Sequence, residues 1–182
     1  MTTLLLVIIW VCFWAYWFAS AIGSKKRVLE KGWQNGAYLR VVASIIILIA
    51  LHFRLVDLRF TPPGLVAATI GVALTALGLG ICVWARRHLG RNWGMPMSHV
   101  DGADLVTSGP YHFVRHPIYS GLLLAILGTV LATDWALLVV LVIVGVFFIY
   151  SATTEEQRMT KLFPKDYAAY KAASKMLIPF VF

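Results

Sequence analysis

Long apolar runs separated by short polar and basic stretches organise this chain. Five of them stand out, at about 3–22, 38–53, 64–85, 118–133 and 134–151. A helix needs roughly 20 apolar residues to cross a bilayer, and each run is read as one crossing, the last two as a hairpin. The pattern predicts an all-α integral membrane bundle of five transmembrane helices, with a cytosolic C-terminal helix after the last. Residues 1–182 form a single membrane domain. Pro62-Pro63-Gly64 stops one helix and starts the next. In the third run Ala67, Gly71 and Thr75 recur at steps of four, with Gly78 and Gly80 beyond; in the fourth, Gly121, Ala125 and Thr129 do the same. Small residues at this spacing let helix backbones approach closely in lipid. The segment 154–175 is charged, helical in pattern and interrupted at Pro164. It ends in Leu177-Ile178-Pro179-Phe180-Val181-Phe182, an apolar tail expected to dock on the bundle or the interface.

Composition strengthens the membrane reading. The chain is 60% hydrophobic with a mean hydropathy of +0.79, and only 13% of its residues are charged, against about 25% in soluble domains. The net charge of +8 sits in the gaps between apolar runs, so it marks the cytosolic side of a membrane and not a nucleic-acid partner. With the N-terminus outside, fourteen of the sixteen Lys and Arg fall on the cytosolic side, leaving Arg54 and Arg59 outside. A bacterial-type inner membrane is expected, with the central polar region and the last helix facing the cytosol. The first run has no basic residue before it and no small-residue cleavage site after it, and is read as a retained helix. Some of Trp10, Trp14, Tyr16 and Trp17 are expected at the membrane interface. Cys12 and Cys82 lie inside apolar runs as small buried hydrophobes. The five His are too scattered for a metal. His52 reads as an interface residue, Asp134 as the cap of the fifth helix, and Arg86 to Trp93 as a segment lying along the headgroups.

Two polar stretches remain, and they carry the candidate chemistry. In Asp104 to Gly121, Pro117 pushes His116 out of helical geometry and suits the first turn of the following helix. The free N–H groups of that turn, with Arg115, would seat a carboxylate; an Arg-His-Tyr interface anchor reads equally well. Gly121 would admit a ligand or a second helix. Glu155-Glu156 ends the last run. The pair is either solvated or holds an amine, ribose hydroxyls or a positive centre. The hairpin returns it beside His116, and boundary ionisable groups are functional candidates.

Leu105-Val106-Thr107-Ser108-Gly109-Pro110-Tyr111, Arg115-His116-Pro117-Ile118-Tyr119-Ser120-Gly121, Glu155-Glu156, and Phe163 with Tyr167 and Tyr170 together resemble the isoprenylcysteine carboxyl methyltransferase and phospholipid methyltransferase family. The resemblance runs from Arg87 onward. It implies an S-adenosylmethionine-dependent methyltransferase acting on a lipid-like or small hydrophobic acceptor, with the site built from about 86–121 and 152–175. It further implies a cofactor pocket of Leu105, Val106, Tyr111, His116, Pro117, Ile118, Tyr119, Gly121, Glu155 and Glu156, and a catalytic set of Arg115, Glu156 and Lys175. No metal is implied. Relatives that methylate a prenylcysteine carboxylate carry an Arg about four residues before the acid pair. Here that neighbourhood reads Tyr150-Ser151-Ala152-Thr153-Thr154, which points to an amine, thiol or hydroxyl acceptor reaching the site from lipid, or to Lys175 or Arg158 as a substitute cation. The alternatives are an NADPH-dependent membrane reductase of related plan and a non-enzymatic membrane scaffold.

Overall fold

A computed structural model describes residues 2–21, 27–28, 64–90, 99–100 and 104–182. Five helices are present among them: α1 (Thr2–Ala21), α2 (Leu65–Leu89), α3 (Pro117–Ala132), α4 (Leu138–Leu162) and α5 (Pro164–Ala173). Short 3-10 turns at Gly109–His112 and Trp135–Leu137 precede α3 and α4. The remaining regular structure among the described residues is a two-residue antiparallel pair, β1 (Arg27–Val28) with β2 (His99–Val100). Three described helices are long and apolar enough to cross a membrane: Thr2–Ser20, Leu65–Leu89 and Trp135–Leu162. With 16 residues, α3 is about 24 Å long at 1.5 Å per residue, shorter than the bilayer core. The expected crossing at 38–53, His52 and the segment Arg91 to Trp93 lie outside the described residues.

The helices run past their expected ends. Residues 86–89 continue α2 instead of turning along the headgroups, with Arg86, Arg87 and His88 in its last turn. Cations there oppose the negative end of the helix dipole. Likewise α4 continues through Glu155 and Glu156 to Leu162. Asp134 accepts from the Ala136 N–H at 2.8 Å, so it caps the 3-10 turn that leads into α4 rather than α4 itself.

The centre of the fold is the contact of α2 with α3, which pack antiparallel backbone to backbone. Gly71 lies against Gly128 and Ala132, and Gly78 against Gly121 and Ala125. A Cβ on Gly71 would come 2.5 Å from the Gly128 carbonyl, and one on Gly128 would come 2.5 Å from the Thr75 nitrogen. The glycines repeat at seven residues on both helices, so each stays on the shared seam for two turns. Thr75, fully buried, donates to the Gly71 carbonyl at 2.9 Å and lies 3.2 Å from the Ala125 carbonyl. Gly80 does not belong to this seam; nothing lies within 4 Å of where its Cβ would be.

Helix α1 leans on this pair through Phe13, which packs with Leu79, Cys82 and Ala125, and through Trp10, whose indole donates to Thr129 at 3.1 Å. Trp10 is thus a packing residue. Farther along, Arg86 donates to the Ser20 carbonyl at the end of α1, so α1 and α2 run parallel. Cys82 is buried as expected, but Cys12 is exposed, because α1 buries only a narrow stripe through Leu6 and Phe13. A second cluster of Tyr119, Phe148, Ala152 and Leu177 joins α3, α4 and the segment after α5.

Valine in place of Gly78 or Gly128 should destabilise the protein by at least about 1–3 kcal/mol, as overpacking does. Gly80→Val should be silent. Thermal midpoints in detergent test this, and equal tolerance at all three positions would refute the seam.

Candidate functional site

At one end of the α2–α3 pair the chain gathers its polar groups. Gly109, at φ 61, turns the chain beneath the His88 ring. That ring lies so close that any Cβ on Gly109 would meet it, and His88 Nε2 is 2.9 Å from Ser108 Oγ. This fastens the 105–112 loop to the end of α2. Pro117 occupies the first turn of α3, and His116 caps it at φ −125, ψ 59, outside helical geometry.

The segment after α5 completes the site. Val114 and Lys175 form a parallel bridge. The Arg115 N–H donates to the Lys175 carbonyl at 2.8 Å and the His116 N–H to the Met176 carbonyl at 3.1 Å. Ser120 Oγ donates to the Leu177 carbonyl at 2.5 Å. Backbone pairing of this kind satisfies groups that the non-helical Arg-His-Pro segment leaves open.

Between these strands of chain lies a buried charge cluster. Arg115 Nε donates to Glu156 Oε1 at 2.6 Å, with side chains 7% and 3% exposed. The other Glu156 oxygen is 2.9 Å from Lys171 Nζ. Arg115 also donates to the Lys171 and Ser174 carbonyls. His116 lies between the two acids, with Nδ1 at 3.5 Å from Glu155 Oε2 and Nε2 at 3.6 Å from Glu156 Oε1. Tyr119 donates to Glu155 Oε1 at 2.6 Å. The His116 ring stacks on Tyr119, centroids 5.4 Å apart, and Tyr119 stacks on Phe148 at 4.5 Å. Glu155 is the more open acid, its side chain 23% exposed.

Beside the cluster, a groove of about 540 Å³ runs between the 105–112 loop and α5. Leu105, Thr107 and His112 line one wall; Asp166, Ala169, Tyr170 and Ser174 line the other. The Tyr170 hydroxyl donates to the Tyr111 carbonyl at 2.6 Å. Burial pushes the Tyr170 phenol up to about 12, so it remains a donor at neutral pH.

The expected site residues divide by place. Arg115, His116, Tyr119, Glu155 and Glu156 meet in the cluster, with Pro117 setting the turn. Leu105 lines the groove and Tyr111 is buried beside it. Val106 is half-buried. The Ile118 carbonyl and Gly121 face α2 instead, against Cys82 and Gly78. Lys175 contributes its backbone while its side chain is exposed. Lys171, which the sequence pattern does not single out, holds Glu156; its place four residues after Tyr167 on α5 is the signal that would have found it.

A family model for phospholipid methyltransferases matches residues 66–166, more than half of the chain. The chain belongs to the phospholipid methyltransferase family. No curated protein matches it. As a phospholipid methyltransferase family member it is a membrane methyltransferase in general terms, in keeping with its three long apolar helices. The matched segment contains α3, the whole groove loop and both glutamates, and stops before Lys171.

His116 supplies a pH signature. Burial disfavours its imidazolium, but Glu155 and Glu156 outweigh this and raise its pKa above the ordinary 6.5. Arg115 and Lys171 share Glu156 with it. The folded protein holds this proton more tightly than the unfolded chain. Its contribution is therefore complete below pH 6.5 and is lost as pH rises through the raised folded value. The thermal midpoint should fall over that window, and His116→Gln should flatten the dependence. An unchanged slope in the variant would rule out His116 as its source.

Proposed function

We propose that this protein transfers a methyl group from S-adenosylmethionine to an acceptor carried in the membrane, and that the 105–121 and 152–175 segments form its site. One observation carries the reading. Two polar motifs forty residues apart, both inside the family match, meet in one buried cluster beside a groove. The groove volume falls within the roughly 300–1,000 Å³ of small-molecule sites, and its walls mix apolar and hydrogen-bonding groups. His116 Nε2 is buried without a hydrogen bond among the described residues, a group that a polar ligand would satisfy. The residues thus fit such a cofactor.

When bound, S-adenosylmethionine supplies an electrophilic methyl on a sulfonium. Glu155, the open acid, takes the cofactor's amine or ribose, while Leu105, Val106 and Tyr170 flank its rings and chain. Glu156 acts differently, since its pairing with Arg115 and Lys171 fixes the Arg-His-Pro segment. His116 and Tyr119 orient Glu155. No residue need attack the methyl, so the protein's work is alignment and exclusion of water, which can lower a barrier by up to about 7–11 kcal/mol. The acceptor is a lipid or small hydrophobic molecule presenting an amine, thiol or hydroxyl. Ser151, neutral and fully buried, stands one turn before Glu155, where a carboxylate-holding cation would be expected, and this favours such an acceptor.

The five-crossing plan belongs to the same proposal. The parallel run of α1 and α2, joined at their ends by Arg86 and Ser20, supports one further crossing between them. The basic bias supports a cytosolic site, a cytosolic C-terminal helix and an outside N-terminus. Hydride transfer and a purely structural role gain no support from the family match.

Thermal stability of the detergent-purified protein tests the cofactor. S-adenosylhomocysteine should raise the midpoint by mass action, and NADPH should not. Glu155→Gln should abolish the rise while keeping the ligand-free midpoint near wild type. A rise with NADPH alone, or none with either, would overturn the proposal.

A further inference from the structure

We infer that residues 178–182 form an interfacial anchor that inserts into the headgroup and upper acyl layer of the bilayer the helices cross. Ile178, Phe180, Val181 and Phe182 are 53%, 87%, 72% and 48% exposed. They do not belong to a frayed end. The Leu177 and Ile178 N–H groups donate to the Phe182 carbonyl at 2.7 and 2.6 Å, and the Val181 and Phe182 N–H groups return to Ile178 at 3.1 and 3.0 Å. Phe180 sits at φ 66, a conformation bulky residues rarely adopt outside a tight turn, so the loop is a closed knob that presents its apolar side chains outward. Such a concentration of exposed large apolar groups marks an interaction surface.

Depth identifies the occupant. Leu177, the residue at the root of the knob, packs with Phe148 and Ala152 of α4 and Tyr119 of α3. On α4 the apolar stretch, with Val142, Val146 and Ile149 exposed for lipid, gives way at Thr153 to polar and charged residues. The knob therefore hangs at the level where the apolar belt ends. Phe113, 49% exposed, lies beside Lys175, whose N–H its carbonyl accepts. Exposed Lys175 stands at the polar side. Apolar rings on one side and a cation on the other match the acyl–headgroup boundary, where lysine reaches lipid phosphate. The anchor also begins two residues after Met176 and three after Lys175, whose carbonyls hold His116 and Arg115, so its seating in lipid bears directly on the charge cluster. The anchor requires only the membrane setting and stands apart from the cofactor proposal.

The test uses the full chain with Cys12→Ser and Phe180→Cys, and Val181→Cys as a second position should the first fail to fold. Cys82 is fully buried and escapes labelling. An environment-sensitive nitrobenzoxadiazole label is attached, and the protein is reconstituted into phosphatidylcholine–phosphatidylglycerol vesicles. Lys165→Cys on the exposed face of α5 is the aqueous control. The label at 180 or 181 should emit at shorter wavelength than the control. It should lose its fluorescence to lipid carrying a nitroxide near the headgroup, and not to aqueous iodide. Quenching by iodide would overturn the anchor. Protection from both quenchers would also overturn it, since it would mean that protein covers the loop, from this chain or a second copy.

Discussion

A buried ion pair between Arg115 and Glu156 is the constraint on which the rest of this structure depends. Three segments of chain converge on it: Glu156 comes from α4, Arg115 from the turn before α3, and Lys171 with the Ser174 carbonyl from α5 and its exit. Removing one partner of such a pair leaves an uncompensated charge and costs about 3–5 kcal/mol. The pair is therefore weak evidence of net stability and better evidence of a specified arrangement, because a packing that separated the two would strand a buried charge. Its completion by the 174–177 backbone explains why the Arg-His-Pro segment can leave helical geometry without stranding its amides.

The cluster gains its position from a simpler feature of the bundle. Backbones of α2 and α3 touch along the glycine seam, and the seam fixes how far α3 slides along α2. With Gly121 opposite Gly78, the first turn of α3 is brought level with the last turns of α2. There His88 presses on Gly109 and orders the groove loop. Packing by small residues thus sets the level at which the polar cluster sits. The stacked rings of His116, Tyr119 and Phe148 then pass from the charged end into the apolar belt, joining the polar site to the lipid-facing part of the fold.

Much of this is legible in the residues themselves. Pro117 after His116 announces both a capping residue outside helical geometry and the helix start, and both are found, although His116 at ψ 59 is not extended. The small-residue steps mark the α2–α3 seam, although they do not distinguish Gly78, which is packed, from Gly80, which is open; a period near four drifts around a helix, and only the partner decides. Gly121 illustrates the same gap: its need for close approach is readable, and α2 as the body approaching it is not. Lys171 and Lys175 look equivalent as basic residues four apart. Helix α5 ends at Ala173, so Lys171 is turned by the helix onto Glu156 while Lys175 enters a backbone bridge to Val114. That bridge is long-range and has no local signal. Helix ends fall beyond their expected places at Arg86 and at Glu155 for one reason: charge marks where the membrane stops, and a helix has no need to stop there.

The most direct test of the central role of this pair is a double-mutant cycle between Arg115→Met and Glu156→Gln, read from unfolding in detergent. Each single change should cost about 3–5 kcal/mol, the range for stranding a buried charge. The double variant should cost much less than their sum, because each substitution removes the partner that the other would strand. Strict additivity would contradict the account, since it would mean that the two residues act independently and that the convergence of α3, α4 and α5 is held by something else.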